Sequence, residues 1–233
     1  MAFVELRSVN KVYSAGQAEI AALRDVTLDV VKGEICVVVG ASASGKTTLL
    51  NILGGMDAAT SGSVRVDGEE ISAFSPRRLT AYRRYDAGFV FQSGALMQEL
   101  TALENVELAA RLGRSSADSA KVLAAVGLDG REDCLPWQLS GGERQCAAVA
   151  RALVKQPKLL LCDEPTAALD YATGRRVLKL MQDTCRKTSM TVFIVTHNSV
   201  LTAMADRVVT LDGGTVSSVV RNDRPTPVED LEW

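Results

Sequence analysis

Two stretches of this 233-residue chain bring together residue types that handle phosphate. The first is Gly40-Ala41-Ser42-Ala43-Ser44-Gly45-Lys46-Thr47, with Thr48 next along. Its spacing, GxxxxGK[ST], follows an apolar run and opens a helical pattern, the context in which such a loop cradles phosphate. Glycines let the backbone curl so that successive N–H groups point inward, and a helix N-terminus adds partial positive charge. Lys46 is expected to reach the β- and γ-phosphates of a nucleoside triphosphate, and the Thr47 hydroxyl to hold magnesium. The second stretch is Leu159-Leu160-Leu161-Cys162-Asp163-Glu164, an apolar run ending in two acids. Asp163 suits the magnesium-holding carboxylate beside a phosphate loop, and Glu164 suits a general base that polarises water. His197, the one histidine, stands just past Thr196 at the end of the apolar run 192–195. That is the ligand-binding edge of a parallel sheet, where an imidazole can contact a γ-phosphate and hold the attacking water.

These groups need a scaffold, and the hydropathy pattern supplies one. Residues 35–39 form a β-branched run that includes Cys36, read as a strand buried on both faces. A helix is expected over 46–53. Short strands are expected at 89–91, 159–162 and 192–195. Strands alternating with helices predict an α/β fold with a doubly wound parallel sheet. Between residues 3 and 31 apolar and polar positions alternate, as in Val26, Leu28 and Val30, predicting antiparallel strands with one wet face. From about 94 to 153 the pattern turns helical, with Leu100, Leu103, Val106 and Leu108 among the apolar positions, and reads as an insertion into the sheet. After about Val220 the chain carries Pro225, Pro227 and several charges, and reads as an extension ending at Trp233.

Composition narrows the class. The net charge of −2 gives no global signal for nucleic acid. The 47% hydrophobic and 23% charged content suits a globular domain with a core. No basic, apolar leader is read at the start. No apolar run approaches the roughly 20 residues needed to cross a bilayer, so any pore is expected from another polypeptide. Five cysteines, without a CxxC pair, argue against a disulfide framework or zinc site and for a reducing cytosol. Cys36 and Cys162 are read as buried packing residues.

Leu139-Ser140-Gly141-Gly142-Glu143 resembles the signature sequence of the ATP-binding cassette (ABC) family. The order of phosphate loop, Gln92, signature, Asp163-Glu164, Asp170 and His197 matches that family, from about residue 3 to 220. Ser140 is a good N-cap, and Gly141 and Gly142 leave amides bare at a helix start, which makes a second anion site. The resemblance implies a single nucleotide-binding domain over 1–220. Its fold would be a P-loop NTPase (RecA-like) core with an N-terminal antiparallel β-subdomain and an inserted α-helical subdomain at about 94–153. It implies an ATPase using ATP and magnesium in a head-to-tail dimer, homomeric or heteromeric. ATP then lies between the phosphate loop of one subunit and the signature of the other. It further implies that Tyr13 stacks on adenine, that Gln92 touches magnesium and couples to a membrane permease, and that Asp170 communicates across the dimer.

Within the family, Gly88-Phe89-Val90-Phe91-Gln92, Leu103-Glu104-Asn105-Val106 and Glu143 are similar to the subgroup of macrolide exporters and lipoprotein-release complexes. That similarity implies a permease with a large extracytoplasmic domain and a place on the cytoplasmic face of the membrane. Cell-division ATPases of related sequence, and soluble cassette ATPases, remain the alternatives. Leu96, Met97, Leu100 and Leu103 either receive a short permease helix or pack the subdomain. Arg77, Arg78, Arg83 and Arg84 form a basic cluster, either a solvated face or a contact with the membrane or a partner. Three residues depart from the family pattern: Ala43 and Ala167 where glycine is usual, and Cys146 where many relatives have arginine. Alanine at 43 matters only if that position needs positive φ.

Overall fold

The structure is a computed structural model that describes residues 2–16 and 18–231. Strands β1 (Ala2–Ala15) and β2 (Ala18–Val31) form a hairpin, followed by β3 (Ile35–Val39) and α1 (Lys46–Leu53). Then come β4 (Ser61–Val66), β5 (Glu69–Glu70), α2 (Pro76–Tyr85) and β6 (Ala87–Val90). Three helices follow, α3 (Ala102–Gly113), α4 (Ser119–Ala125) and α5 (Gly141–Leu153). The chain returns through β7 (Leu159–Asp163), α6 (Tyr171–Thr188), β8 (Thr191–Val195), β9 (Arg207–Asp212) and β10 (Thr215–Arg221).

Among the described residues the strands form two sheets. The order in one is β2-β1-β4-β5, all antiparallel; in the other it is β10-β9-β3-β8-β7-β6, parallel except for β10. A mostly parallel core sheet beside an antiparallel β-subdomain is the architecture expected. The reason is visible in the buried strands, whose side chains alternate between two cores. Ile35 and Val37, Leu160 and Cys162, and Val192 and Ile194 face one core with helices α3 to α6. Cys36 and Val38, Leu159 and Leu161, and Phe193 and Val195 face the other, with the antiparallel sheet and α1. Both faces are apolar, so a near-continuous hydrophobic run is what such a strand needs.

Helix α5 belongs to the sheet as much as to the helical layer. Its residues Cys146 to Ala150 are buried in the same core as Leu160 and Ile194. Asn105 secures the stretch before α3: its amide donates to the carbonyls of Met97, Leu100 and Thr101, and its Oδ1 accepts from the Met97 amide. Leu96 is buried and Leu103 packs on the core, so these two are packing residues, while Met97 is exposed.

The C-terminal stretch is packed rather than loosely extended. Val228 and Leu231 are buried, Gln182 of α6 bonds the Thr226 carbonyl, and Lys179 pairs with Glu229. Two apolar side chains among the prolines and charges were enough to draw it in. Trp233 lies outside the described residues.

Four of the five cysteines are buried and all are free. Burial pushes the thiols of Cys146 and Cys185 up to about 11, and those of Cys36 and Cys162 higher still. A thiol raised this far stays protonated at neutral pH and is a poor nucleophile there. Alkylation of the native protein at neutral pH should therefore modify Cys134 first, with the other four reacting only after denaturant is added; peptide mass mapping reads this directly.

Candidate nucleotide-binding site

The parallel strands β3, β8, β7 and β6 lie side by side, and their C-terminal ends carry the predicted chemistry. Residues 40–47 leave β3, Gln92 follows β6, Asp163 and Glu164 end β7, and Thr196 and His197 follow β8. All of these except Gly40, Ala41 and Thr196, together with the β1–β2 hairpin, border a cavity of about 370 Å³.

The phosphate loop is shaped by close approaches. A Cβ at Gly40 would stand 2.1 Å from the Leu211 carbonyl oxygen, and one at Gly45 would stand 2.4 Å from that of Ala22. Gly45 also has φ of 100° as the residue before α1. Ala43 has φ of 62°, so the position does need the left-handed region, and alanine there costs about 1–2 kcal/mol. Ala167 is not among the positive-φ residues, so its side chain brings no such strain.

Lys46 is buried and folded into its own loop. Its ammonium donates to the carbonyls of Gly40 at 2.8 Å and Ala41 at 2.7 Å. Burial pulls it below the ordinary lysine range, and the carboxylates of Glu164 and Asp163 oppose that shift. The Thr47 hydroxyl donates to Asp163 Oδ2 at 2.8 Å. Gln92 borders the same cavity. One carboxylate, one hydroxyl and one amide make an oxygen-donor set that fits magnesium shared with substrate phosphates.

Glu164 stands at φ of 49°, with its side chain 12% exposed. The His197 amide donates to Glu164 Oε1 at 2.8 Å, and the Thr196 hydroxyl to Oε2 at 3.0 Å. His197 Nε2 lies 3.5 Å from Oε1.

Not every expected residue reaches this cavity. Ser140 caps α5 with a reciprocal box: its Oγ accepts from the Glu143 amide at 3.1 Å, and Glu143 accepts from the Ser140 amide at 2.8 Å. The Ser140 amide first, and then its hydroxyl, hold the Glu143 carboxyl below its usual range. Asp170 caps α6 through the Thr173 amide at 3.0 Å. A Cβ at Gly142 would be 3.2 Å from the Ala168 carbonyl, so the signature helix abuts the Asp170 loop. Ser140, Gly141, Gly142 and Asp170 all lie outside the cavity lining. Tyr13 is also outside it: its hydroxyl donates to Asp57 at 2.7 Å, and the Lys11 ammonium sits 4.7 Å from its ring centre.

No residue pattern pointed to Ile20, Ala21 and Ala22, which wall the cavity from the hairpin. They contribute shape and a main-chain carbonyl, neither of which depends on side-chain type; the glycine at 45 was the available hint.

A triphosphate cradle at the edge of a parallel sheet, with paired acids and a histidine on neighbouring strands, defines a P-loop ATPase cassette. The chain belongs to the ABC transporter family, whose model matches residues 23–167, and carries that family's ATPase domain. Relatives agree. The macrolide export ATP-binding/permease protein MacB of Rhodopirellula baltica is 42% identical over 230 residues, 96% of this chain and 34% of that protein. The lipoprotein-releasing system ATP-binding protein LolD of Bordetella pertussis is 43% identical over 216 residues, 91% of this chain and 94% of that protein. The chain thus spans a third of the MacB relative's length and nearly all of the LolD one. The solved ATP-binding cassette MJ0796, in a dimeric post-hydrolysis state bound to ADP and Pi, is 36% identical with a TM-score of 0.89, covering 94% of this chain and 98% of that one.

Replacing Ala43 by glycine should relieve the left-handed strain. Glycine's greater unfolded-state freedom takes back about 0.5–1 kcal/mol, so a net stabilisation of about 0.5–1 kcal/mol is expected. The midpoint of urea unfolding, at unchanged slope, measures it.

Proposed function

We propose that this chain is the ATP-hydrolysing engine of a membrane transport complex of the macrolide-export or lipoprotein-release kind, working as a head-to-tail pair of cassettes. The observation that carries this reading is a half-built site. Lys46, Thr47, Gln92, Asp163, Glu164 and His197 share one cavity, while the anion-ready start of α5 at Ser140 faces elsewhere. A second cassette brings its own Ser140, Gly141 and Gly142 to that cavity, and Asp170, beside the signature, meets the partner in the same closure.

The chemistry follows from the geometry. ATP phosphates enter the loop 40–47, and Lys46 exchanges the carbonyls of Gly40 and Ala41 for phosphate oxygens. Ser42, Ser44 and Thr48 border the cradle with the loop's amides. Tyr13, half-exposed and in hydrogen-bond reach of Thr48, offers adenine a face together with the exposed Ile20. Thr47, Asp163 and Gln92 are the groups that hold magnesium, which when bound neutralises phosphate charge. Glu164 takes a proton from the attacking water. His197, its side chain 55% exposed, is free to turn toward the γ-phosphate.

The docking surface for the permease moves from Leu96, Met97, Leu100 and Leu103 to a neighbouring groove of about 340 Å³. Phe89, Phe91, Ala109 and Leu112 form its apolar wall, and Arg83 and Arg84 of the basic cluster stand at its rim. Arg151, in the same groove, donates to the carbonyls of Gly94 and Ala95, just past Gln92. An occupant of the groove therefore touches the segment that bears Gln92. The permease, with a large extracytoplasmic domain, places the cassette at the cytoplasmic face of the membrane.

The decisive variant is Glu164→Gln. On a sizing column it should run as a monomer alone and shift to a dimer with magnesium-ATP, with turnover reduced by about two orders of magnitude or more. Lys46→Ala should show neither nucleotide binding nor the shift. Undiminished turnover in Glu164→Gln removes the base assignment; saturable ATP binding with no dimer at any protein concentration removes the shared-site reading.

A further inference from the structure

We propose that Thr196 is a positioning residue for hydrolysis, its hydroxyl fixing the Glu164 carboxylate at the edge of the phosphate cavity. The inference rests on the reading of Glu164 as general base.

Thr196 is 1% exposed and sits one residue beyond β8. Its amide donates to the Val38 carbonyl of β3 at 3.2 Å, so its backbone is tied to the strand that launches the phosphate loop. Its hydroxyl is within reach of two groups. The Asn198 amide donates to it at 3.0 Å, and Glu164 Oε2 lies 3.0 Å away. A hydroxyl has one hydrogen to give. With an amide donor on one side, that hydrogen goes to the carboxylate on the other. Asn198 is itself anchored, because its Oδ1 accepts from the Val200 amide at 3.0 Å and caps the turn Ser199–Met204. A β-branched side chain is stiff about χ1, so the hydroxyl direction is set by backbone that cannot easily move.

Glu164 is held from both sides. Residues 196 and 197 each occupy one carboxylate oxygen, and the Glu164 amide donates to the Val195 carbonyl at 2.9 Å. The residue also stands at φ of 49°, a conformation uncommon for glutamate. Strain of this kind persists where the surroundings over-determine a side chain's place. A base must hold its proton-accepting oxygen within hydrogen-bond reach of water, and small displacements of reacting groups cost rate heavily. A carboxylate locked by two neighbouring donors meets that need; one on a free glutamate arm does not.

The competing account is a buried hydroxyl that takes whichever acceptor is near. The two accounts differ in what they predict. The full chain would carry Thr196→Val, which keeps shape and loses the donor, and Thr196→Ser, which keeps the donor. Steady-state hydrolysis of magnesium-ATP is measured for each, alone and in a Glu164→Gln background. Expected for Thr196→Val is a kcat lower by about ten- to a hundredfold, with KM within about twofold; Thr196→Ser should stay near the parent. In the Glu164→Gln background, Thr196→Val should add no further loss, because the group it positions is gone. Thermal melting accompanies the kinetics, and Thr196→Ala replaces the valine variant if that one fails to fold. Full kcat in Thr196→Val, a loss equal in valine and serine, or a loss that persists undiminished in the Glu164→Gln background overturns the proposal. Parental turnover in Glu164→Gln itself signals the separate failure of the base reading.

Discussion

Parallel pairing of β3, β8, β7 and β6 is the constraint on which everything else depends. Adjacent strands stand about 4.8 Å apart, and pairing in register ends them on one edge. Val38 faces Val195, Asp163 faces Val195, and Val90 faces Cys162. The phosphate loop, the histidine, the two acids and Gln92 therefore emerge as neighbours although well over a hundred residues separate the first from the last. Two apolar cores, one on each face, hold that register. A slip of one residue would turn each strand's alternating side chains to the wrong core.

The edge is also where local backbone comfort is given up. Ala43 and Glu164 both take positive φ, and Lys46 is buried against main-chain carbonyls rather than a carboxylate. None of these arrangements is what an isolated segment would adopt. The surrounding sheet imposes them, as where the Glu164 amide is held by the Val195 carbonyl of β8. Their common result is a cavity with a positive loop on one side and carboxylates on the other, suited to a polyanion and a divalent cation.

The same architecture leaves the site open. The start of α5 is satisfied by its own capping box and rests on the Asp170 loop, away from the cavity. Arg151 of that helix reaches the carbonyls just after Gln92. Motion of the helical layer is thus linked to the cavity through a few hydrogen bonds and through the core that α5 shares with β7 and β8. A link of this kind suits a machine in which nucleotide and a partner at the groove sense each other.

Sequence alone determined the parallel core and the antiparallel hairpin region, and it singled out the loop and acid residues that the fold brings to one cavity. Their signals are local: a β-branched run, a glycine spacing, acids after an apolar stretch. It placed helix 46–53 and strand 35–39 with the bounds the structure shows. Other features depend on what lies opposite and could come only from the tertiary structure. Whether Ala43 is strained depends on the backbone that encloses it. That Ile20, Ala21 and Ala22 wall the cavity depends on hairpin placement. That Leu96 packs while Phe89 and Phe91 line a groove depends on which neighbours cover them, since apolar side chains look alike in a sequence whether buried or docking. The tail around Val228 and Leu231 folds back because α6 presents a surface for it. The Thr196 hydroxyl gains its partner across two strands distant in the chain, a relation set by pairing rather than by any spacing of residues.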